Sequence, residues 1–580
     1  MKIITLFAIL FFAAIQNGFT TVADTPDENK YIAVVTPELI LVNQLGFKPL
    51  AEKIALLRVK AGKFEIVDSK SGKVVFTGKP GPMKYWELSG DSVSAADFSA
   101  FTAPGTYQLV IGKNAVVSYP FVISRNVYSD IAKASLKAFY LNRSGMEISA
   151  LYAGKWARPA GHPDNLVRVH TSAASASRPE GTVISSPGGW YDAGDYNKYV
   201  VNSGITTYTL LLFAQVYPDY CKKLDIHIPE SGNGIPDVFN ELLYNLRWML
   251  TMQDPADGGV YHKLTNKAFC DFVMPASAND PRYVVMKSTA ATLDFAATMA
   301  MASRVFAKTS YPELKVLGKT CLAAAEKAYA WAKANPAIYY KNPADISTGA
   351  YDDTFLSDEF FWASAELGLA TGNASMVSGK ELMDQKIMVP SWDYSGMNGI
   401  LSLALSEGTS FETLRTLAQK QLFRYVDQLV SKAQQSPYHV SIDFFKWGSN
   451  SDVANIAVLK LVAARISNNP VYYKSVQGDL DYLLGRNATN YCFVTGFGAK
   501  QVMHIHHRPS GADGIDAPCP GFLAGGPNTV VLNDCPGITR STFPAKSYAD
   551  AQCSYSTNEI AINWNAPLFF LLAAGDAQDK

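Results

Sequence analysis

Two aspartates lie three residues apart in residues 188–199, a segment rich in glycine and aromatic residues. Neighbouring carboxyl groups such as those of Asp192 and Asp195 cost free energy unless they do chemistry or bind a cation. The glycines let the backbone bend, and rings such as Trp190 suit the apolar faces of sugars. The segment therefore indicates either a general base that activates water or a capped turn packed with aromatic side chains.

A general base needs an acid partner, and the C-terminal third of the chain contains a candidate. Glu559 comes just before an apolar stretch at the end of the chain. One interpretation is an acid at a helix N-terminus, where the helix dipole favours it. The other is a general acid whose pKa is raised by apolar neighbours such as Tyr555 and Trp564.

Three of the four residues 504–507 are histidine, and Arg508 follows them. In an extended segment His506 and Arg508 would lie on the same side, because side chains two residues apart share a face. A zinc cluster is one interpretation, but adjacent histidines rarely bind one ion without helical i, i+4 spacing. Hydrogen bonding to a polar, uncharged ligand fits the pattern better.

The composition is that of a folded protein with no excess charge. The chain has 580 residues, 48% of them hydrophobic and 18% charged, which allows more than one domain and a sizeable core. Lys and Arg together number 51, as do Asp and Glu, so the net charge is zero. Zero net charge argues against nucleic acid or an anionic membrane as the main partner.

The N-terminus has the pattern of a secretory signal peptide, residues 1–23. Lys2 precedes an apolar run at 3–15, which is too short to span a bilayer, and residues 21–23 form a cleavage site with a small residue. No later run is long and apolar enough to be a membrane helix. The sequence therefore predicts an exported protein, extracellular or periplasmic, with no membrane span.

Seven cysteines occur, so at least one thiol is unpaired. Buried free thiols are the favoured interpretation for most of them. Cys519 and Cys535 are close enough in sequence to pair within one loop region, which spacing alone does not decide.

Residues 31–125 have the alternating pattern of short β-strands. Phe64 and Ile66 alternate with polar residues, and Val74 and Phe76 continue the pattern after a turn, as in a hairpin. Further alternating runs cover 107–111 and 117–123. Several short strands at this spacing indicate an immunoglobulin-like β-sandwich. We expect it to support the rest of the chain rather than to bind sugar.

Residues 127–577 change to helical periodicity. Ten or more helices with few strands predict an all-α domain, and its loops are longer than helix packing needs, which usually signals function. An α/α toroid would gather those loops on one face. The predicted helices cover 128–146, 238–252, 288–306, 315–334, 358–371, 398–405, 410–432, 451–464, 472–484 and 563–574.

Taken in order, these motifs resemble glycoside hydrolase family 9, the cellulase family with an (α/α)6 barrel. The resemblance covers nearly the whole mature chain, and the β-domain is similar to the immunoglobulin-like module that precedes the barrel in one branch. It therefore implies an immunoglobulin-like β-sandwich followed by an (α/α)6 barrel. The matching segments are 192–195, 231–237, 447–450, 498–508, 525–528 and 548–566.

The resemblance implies hydrolysis of a glycosidic bond and a role for each of three carboxyl groups. Asp195 would be the general base, Asp192 would help to hold the attacking water, and Glu559 would be the general acid. The family inverts the anomeric configuration, which requires acid and base carboxyl groups about 6.5–9.5 Å apart. No covalent intermediate is expected.

The remaining site residues follow from the same resemblance. His506 and Arg508 would bind sugar hydroxyls beside the cleaved bond, and Asp550 would orient and tune the site. The aromatic candidates for contact with sugar are Trp190, Trp447 and Tyr555.

The sequence departs from the resemblance at an expected zinc site. Ser144 and Gly161 stand where cysteines are expected, and Arg158 where a histidine is expected, so only His162 remains. One imidazole does not make a zinc site, and we predict that zinc is absent.

No cofactor is required, although the family commonly binds structural calcium through oxygen ligands. Asp237 and Glu241 are candidates for such a site, but a solvated helix N-terminus explains them equally well.

Three functions are weighed. An endo-acting β-1,4-glucanase on cellulose or related glucans such as xyloglucan or mixed-linkage glucan is favoured. The alternative is an exo-acting glycosidase on cello- or chito-oligosaccharides, which a loop closing one end of the cleft would distinguish. A non-catalytic carbohydrate-binding protein is the remote third, because all acid and base positions are present. The expected partner is a β-1,4-glucan, and the expected state is a monomer.

Overall fold

The computed structural model of the protein describes residues 37–112 and 116–577. The predicted signal peptide, residues 1–23, lies outside the described residues. Within the part that is described, no helix combines the length and the apolar character needed to cross a bilayer.

The N-terminal part of the described chain is a β-sandwich of ten strands. Their bounds are β1 (Ile40–Leu41), β2 (Gly46–Phe47), β3 (Ile54–Leu57), β4 (Phe64–Asp68), β5 (Val74–Gly78), β6 (Lys84–Trp86), β7 (Asp91–Asp97), β8 (Gly105–Ile111), β9 (Val116–Val117) and β10 (Phe121–Ile123). One sheet has the order β1-β3-β7-β6, and the other has the order β2-β10-β8-β4-β5 with β9 beside β8.

The alternating sequence pattern explains the core of the sandwich. Phe64 and Ile66 are buried between the sheets, and the predicted hairpin forms with Ile66 opposite Phe76. The predicted run 117–123 is divided between β9 and β10. Pro120 lies in the interruption, where its lack of a backbone N–H disfavours a continuous ladder.

The rest of the described chain is mainly helical. The helices are α1 (Ser129–Leu141), α2 (Ala150–Ala153), α3 (Val200–Val216), α4 (Pro218–Cys221), α5 (Asp237–Thr251), α6 (Thr289–Ala307), α7 (Pro312–Ala334), α8 (Ser357–Thr371), α9 (Gly379–Asp384), α10 (Gly396–Ala404), α11 (Glu412–Gln435), α12 (Ser449–Ser467), α13 (Pro470–Leu483), α14 (Arg508–Ala512), α15 (Tyr555–Asn558) and α16 (Ile562–Ala577).

These helices form the predicted (α/α)6 barrel. Along the inner ring α3 packs against α6, α6 against α8, and α8 against α10, while α16 packs against both α12 and α3. Outer helices cover the inner ones: α5 packs on α3, α7 on α6, α11 on α10, α13 on α12, and α1 on α16.

The inner helix α3 was not predicted from the sequence. All of its residues except Gln215 are buried. A helix that is surrounded by protein needs no polar face, so it lacks the amphipathic periodicity that marks the outer helices. The predicted helix 128–146 is also shorter than expected, because α1 ends at Leu141.

A small sheet in the barrel domain is a second unpredicted feature. Its strands are β11 (Val167–Val169), β12 (Val183–Ile184), β13 (Lys198–Tyr199), β14 (Lys263–Thr265) and β15 (Tyr283–Val284), in the order β12-β11-β15-β14-β13. Strand β13 directly follows the aspartate segment and pairs antiparallel with β14, which places Tyr199 opposite Lys263. The sheet therefore fixes where the aspartate segment ends.

One disulfide joins Cys535 to Cys553. Cys519, which we considered as a partner for Cys535, is instead a buried free thiol. The two cysteines are 18 residues apart, a separation so similar to that of Cys519 and Cys535 that spacing did not distinguish the two pairings.

The β-sandwich is attached to the barrel through a charged contact with the loop 528–548. Asp91 accepts hydrogen bonds from Lys546 Nζ at 2.6 Å and from the Tyr438 hydroxyl at 3.0 Å. Arg58 Nη2 lies 2.9 Å from the same carboxylate. Burial raises the pKa of Asp91, but the hydrogen bond from Lys546 and the charge of Arg58 outweigh burial and lower it overall.

We expect Asp91→Asn to weaken this attachment. The variant should lose roughly 1–2 kcal/mol of unfolding free energy at pH 7, since charged hydrogen bonds in a partly exposed site are lost. The pKa of Asp91 is lower in the folded protein than in the unfolded chain. The difference in unfolding free energy between wild type and variant should therefore be fully present above the pKa that Asp91 has in the unfolded chain, and should disappear as pH falls through its pKa in the folded protein. Urea unfolding at several pH values measures both effects.

Glu65→Gln is the matched control, because Glu65 pairs only with the exposed Lys63 of the same domain. It should change stability by less than about 0.5 kcal/mol. Equal effects of the two substitutions would contradict a structural role for the Asp91 contact.

Candidate active site

A cleft of about 830 Å³ lies where the inner helices begin. Its lining comes from segments that precede or open α3, α8, α10, α12 and α16, so the loops collect at one end of the barrel as predicted. The lining includes Asp192, Asp195, Tyr351, Trp392, Trp447, His506, Arg508, Tyr555, Glu559 and Trp564.

The aspartate segment is bound to two C-terminal segments through the backbone. The backbone N–H of Arg508 donates to the Gly194 carbonyl at 3.1 Å, and that of Ile562 donates to the Asp192 carbonyl at 2.9 Å. A β-bridge joins His506 to Glu559. Residues more than 300 positions apart are therefore brought together by main-chain contacts.

Gly194 is required at the point of closest approach. A Cβ atom at this position would lie 2.3 Å from the His506 carbonyl oxygen and 3.2 Å from Glu559 Oε1. No side chain can be accommodated there unless the C-terminal segments move. The glycine between the two aspartates therefore sets how near the acid and base segments come.

Asp195 is held by three donors. Its Oδ2 accepts hydrogen bonds from Asn197 Nδ2 at 2.5 Å, from the Tyr199 hydroxyl at 3.1 Å and from the Asn197 backbone N–H at 3.3 Å. All three groups donate to the same oxygen, which suits an ionised carboxylate and leaves Oδ1 without these contacts.

Asp192 lies deeper than Asp195. Its oxygens accept hydrogen bonds from Asn202 Nδ2 and from the Tyr351 hydroxyl, each at 2.6 Å. Burial, followed by the charge of Asp195, raises the pKa of Asp192 to about 8. Burial and the neighbouring charge therefore both disfavour ionisation of Asp192.

Tyr351 and Asn202 are site residues that the sequence did not reveal. Tyr351 has a backbone φ of 50°, an uncommon and strained value for an aromatic residue that is typical of functional sites. Both residues contact Asp192 only because of the fold, and no spacing pattern links them to it.

Glu559 is a buried acid close to the aspartates. Burial, followed by the charge of Asp195, raises its pKa well above the ordinary value, while the hydrogen bond from the Gly194 backbone N–H opposes this shift. That N–H lies 3.3 Å from Glu559 Oε1. A carboxyl group that keeps its proton at neutral pH can donate it to a leaving oxygen.

His506 lines the cleft with a defined tautomer. Its Nδ1 lies 2.7 Å from the Gln552 carbonyl, which can only accept, so Nδ1 carries the proton. Burial lowers the pKa of His506. The ring is therefore neutral, and Nε2 is a hydrogen-bond acceptor.

Arg508 also lines the cleft, and two of the five N–H groups of its guanidinium donate to the protein backbone. Nε donates to the Cys270 carbonyl at 2.9 Å, and Nη1 donates to the Gly194 carbonyl at 2.8 Å. The side chain therefore fixes the aspartate segment as well as bordering the site.

Asp550 does not line the cleft. Its carboxylate accepts backbone N–H groups of Met503 and His504, each at 2.9 Å, and Asn558 Nδ2 at 2.9 Å. These bonds join the segment before His506 to the segment before Glu559. Asp550 is thus placed to orient the site, without contact with a bound sugar.

Of the three aromatic residues predicted to contact sugar, two line the cleft and one does not. Trp447, 40% exposed, lies against Tyr555 with ring centroids 5.2 Å apart, and both line the cleft. Trp190 was wrongly predicted to bind substrate. It is fully buried, its Nε1 donates to Glu241 Oε2 at 3.0 Å, and its ring packs on Phe139.

The carboxylates considered for calcium are engaged by protein groups. Asp237 Oδ2 accepts hydrogen bonds from the Ile226 backbone N–H at 2.9 Å and the Ser231 hydroxyl at 2.7 Å. Glu241 forms a buried ion pair with Arg143 at 2.9 Å. Within 37–112 and 116–577, no three His, Cys, Asp or Glu side chains are arranged to hold a metal ion.

The positions expected to hold zinc contain a guanidinium instead. Arg158 Nη2 donates to the carbonyls of Leu141 at 3.1 Å and Arg143 at 2.7 Å. His162 Nδ1 lies 2.8 Å from the Tyr191 hydroxyl, and the Ser144 hydroxyl donates to the His162 carbonyl. A permanent positive charge at one of the four expected ligand positions does not suit a cation.

A second group of buried carboxyls lies away from the cleft. Burial and neighbouring carboxylates raise the pKa of Asp294 and Glu359 well above their ordinary values. Neither residue lines the cleft. A raised pKa alone therefore does not identify the acid of this site, and the geometry around Asp195 and Glu559 is what separates the two groups.

A helical barrel with a buried acid of raised pKa and a second carboxyl group held by hydrogen-bond donors, both lining an aromatic cleft, is the arrangement of an enzyme that hydrolyses glycosidic bonds. The chain belongs to glycosyl hydrolase family 9, whose sequence profile matches residues 128–572. Residues 36–115 match the cellulase N-terminal ig-like domain. The predicted family and domain order are thus confirmed.

Known proteins of the family are similar over most of the chain. A xyloglucan-specific endo-beta-1,4-glucanase of Bacteroides ovatus is 42% identical, covering 100% of this chain and 99% of that protein. Endoglucanase D of Acetivibrio thermocellus is 34% identical, covering 92% of this chain and 83% of that protein. The solved structure of a Bacteroides ovatus GH9 protein has a TM-score of 0.85 at 42% identity, covering 93% of this chain and 99% of that structure.

We predict that Gly194→Ala disables the site. The added methyl group would displace the His506 carbonyl and with it the Glu559 segment, so kcat should fall on the order of 100-fold, as for a misplaced catalytic group. Steady-state kinetics on a soluble β-glucan measure the loss. Gly62→Ala is the matched control, because no atom lies within 4 Å of its added carbon. A Gly194→Ala variant with kcat within about twofold of wild type would refute the steric argument.

Proposed function

We propose that the chain is an endo-acting β-1,4-glucanase that hydrolyses its substrate with inversion. The observation that carries this proposal is the buried Glu559, whose pKa is raised well above its ordinary value by burial and by the charge of Asp195, a carboxylate held by hydrogen-bond donors. The similarity to two endoglucanases along most of the chain supports the same activity.

The proposed reaction uses the two carboxyl groups in one step. Asp195 takes a proton from a water molecule as the water oxygen attacks the anomeric carbon. Glu559 gives its proton to the glycosidic oxygen as the bond from that oxygen to the anomeric carbon breaks. Asp192, held by Tyr351 and Asn202, helps to position the water. The proton on Asp195 is then exchanged with solvent for the one that Glu559 lost.

We propose that the sugar on either side of the cleaved bond is held by the polar and aromatic lining. Neutral His506 accepts a hydroxyl hydrogen through Nε2, and Arg508 borders the same part of the cleft. Trp447 and Tyr555 supply apolar faces for sugar rings. These contacts suit an uncharged polysaccharide.

We infer that the substrate is a β-1,4-linked glucan and that xyloglucan is the first candidate. The support is the xyloglucan specificity of the Bacteroides ovatus relative, which is 42% identical and covers the whole chain. Cellulose and mixed-linkage glucan are the other candidates. We also propose export to the periplasm or the cell exterior, supported by the signal-like N-terminus, and action as a monomer.

The first test is product analysis on xyloglucan, carboxymethylcellulose and cellohexaose. We expect a rapid fall in polymer viscosity and mixed oligosaccharides, with the highest rate on xyloglucan. Glu559→Gln and Asp195→Asn should each lower kcat by at least about 100-fold, because each removes a proton-transfer group.

Glu407→Gln is the control for these substitutions, since Glu407 is exposed and pairs with Lys308 far from the cleft. It should behave as wild type. Glucose or cellobiose alone from the start, with little change in viscosity, would favour the exo-acting alternative. Full activity in both acid variants would refute the assigned roles, and binding without any hydrolysis would favour the carbohydrate-binding alternative.

We propose that the enzyme needs no zinc, because Arg158 occupies the place of a ligand and one imidazole remains. Dialysis against a chelator should leave kcat and the melting temperature unchanged, and elemental analysis should find less than about 0.1 zinc per chain. A fall in melting temperature that zinc reverses would contradict this. Reversal by calcium alone would instead indicate a structural calcium ion.

A further inference from the structure

Lys263 is a buried lysine next to the aspartates that the proposed mechanism does not use. It opens strand β14 opposite Tyr199 of β13, and its side chain is fully buried. Burying an ammonium group costs several kcal/mol unless the surroundings compensate it. The groups around the Lys263 ammonium therefore have to compensate this cost.

In the described part of the barrel, the other fully buried lysines have carboxylate partners and Lys263 does not. Lys198 lies 2.7 Å from Asp164, and Lys460 lies 2.6 Å from Asp479. Among residues 37–112 and 116–577, no carboxylate lies within 4.0 Å of Lys263 Nζ. The acidic group whose charge acts on it is Asp195.

Tyr199 lies between the two charges. Lys263 Nζ is 5.5 Å from the centre of the Tyr199 ring, and the hydroxyl of the same tyrosine donates to Asp195 Oδ2 at 3.1 Å. Because Lys263 and Asp195 are both buried, the attraction between their charges is stronger than it would be in water. The lysine is thus positioned to act on Asp195 without touching the substrate.

The same ammonium group holds a second site element. Nζ donates to Asn342 Oδ1 at 2.9 Å, to Thr348 Oγ1 at 2.9 Å and to the Gly349 carbonyl at 2.6 Å. Two residues later in this loop, Tyr351 donates its hydroxyl hydrogen to Asp192. Burial lowers the pKa of Lys263 to about 7, whereas three acceptors at these distances match the three N–H groups of the protonated amine.

We propose that Lys263 is a positioning residue for both aspartates. Its ammonium group is the counter-charge of ionised Asp195, and its hydrogen bonds hold the loop that brings Tyr351 to Asp192. This inference rests on the proposed roles of the two aspartates. It adds a residue that lies behind the cleft and acts through Tyr199 and the 342–351 loop.

The other titratable groups around Lys263 stay neutral over the working pH range. Burial raises the pKa of Tyr199 and of Tyr340, whose ring also lies 5.5 Å from Nζ. Burial lowers the pKa of the adjacent His262 to about 3. If removal of the Lys263 charge changes the acid limb of the pH profile, the change therefore reports on the ionisation of the aspartate pair.

The test compares Lys263→Met, Lys263→Gln and Lys263→Arg in the full chain by the pH dependence of kcat and kcat/KM on cellohexaose. Methionine removes the charge and the hydrogen bonds, glutamine removes the charge but keeps N–H donors, and arginine keeps the charge. We expect kcat to fall about 10–100-fold for Met and Gln with KM changed less than about threefold. The acid limb of kcat/KM should move about one pH unit upward for both, and return to within about 0.3 unit for Arg.

Lys460→Met is the control, because it removes an equally buried lysine away from the cleft. It should lower the melting temperature and leave the acid limb in place. Folded Lys263→Gln or Lys263→Met with a wild-type acid limb and kcat would overturn the proposal. If the Lys263→Met variant does not fold, the comparison of Lys263→Gln with Lys263→Arg decides. Equal shifts of the acid limb of kcat/KM in these two variants would also overturn the proposal.

Asp195→Asn, measured in the same series, separates this inference from the proposed function. If Asp195→Asn is inactive while the Lys263 variants behave as wild type, the positioning role fails and the proposed base stands. If Asp195→Asn keeps wild-type activity, the assignment of the base fails, and the role of Lys263 fails with it.

Discussion

The site depends on one close approach between backbone segments. Gly194 lies against the His506 carbonyl, where a single added carbon would be 2.3 Å from the oxygen. Backbone hydrogen bonds from Arg508 and Ile562 fix the aspartate segment at this point. The barrel has to bring the start of α3 beside the start of α16 for these contacts to form, and the direct packing of those two helices achieves it.

The electrostatics follow from that approach. Because three carboxyl groups share a buried region, ionisation of one disfavours ionisation of the others. The donors on Asp195 favour the charge there, while burial and this charge raise the pKa of Asp192 and Glu559. Lys263 supplies the opposite charge from behind the site. One fold thus favours a charge on one carboxyl group and a proton on another.

The sequence predicted the parts that depend on local pattern. The sandwich hairpin and helices of both rings were predicted, and Asp195 and Glu559 lie in dense motifs. Helix α3 has no polar face and the small sheet has strands of two or three residues, so neither was predicted. Tyr351 and Lys263 reach the aspartates only through tertiary contacts. Trp190 was misassigned because a motif does not tell which of its rings faces inward.

The central claim, that Asp195 activates water while Glu559 protonates the leaving oxygen, is tested most directly by the anomer first released. Proton NMR during the first minutes of cellohexaose hydrolysis separates the two anomers of the new reducing end before they equilibrate. The account predicts that the α-anomer is formed first, because water attacks the face opposite the leaving group. Initial release of the β-anomer would mean a covalent intermediate and would contradict the account.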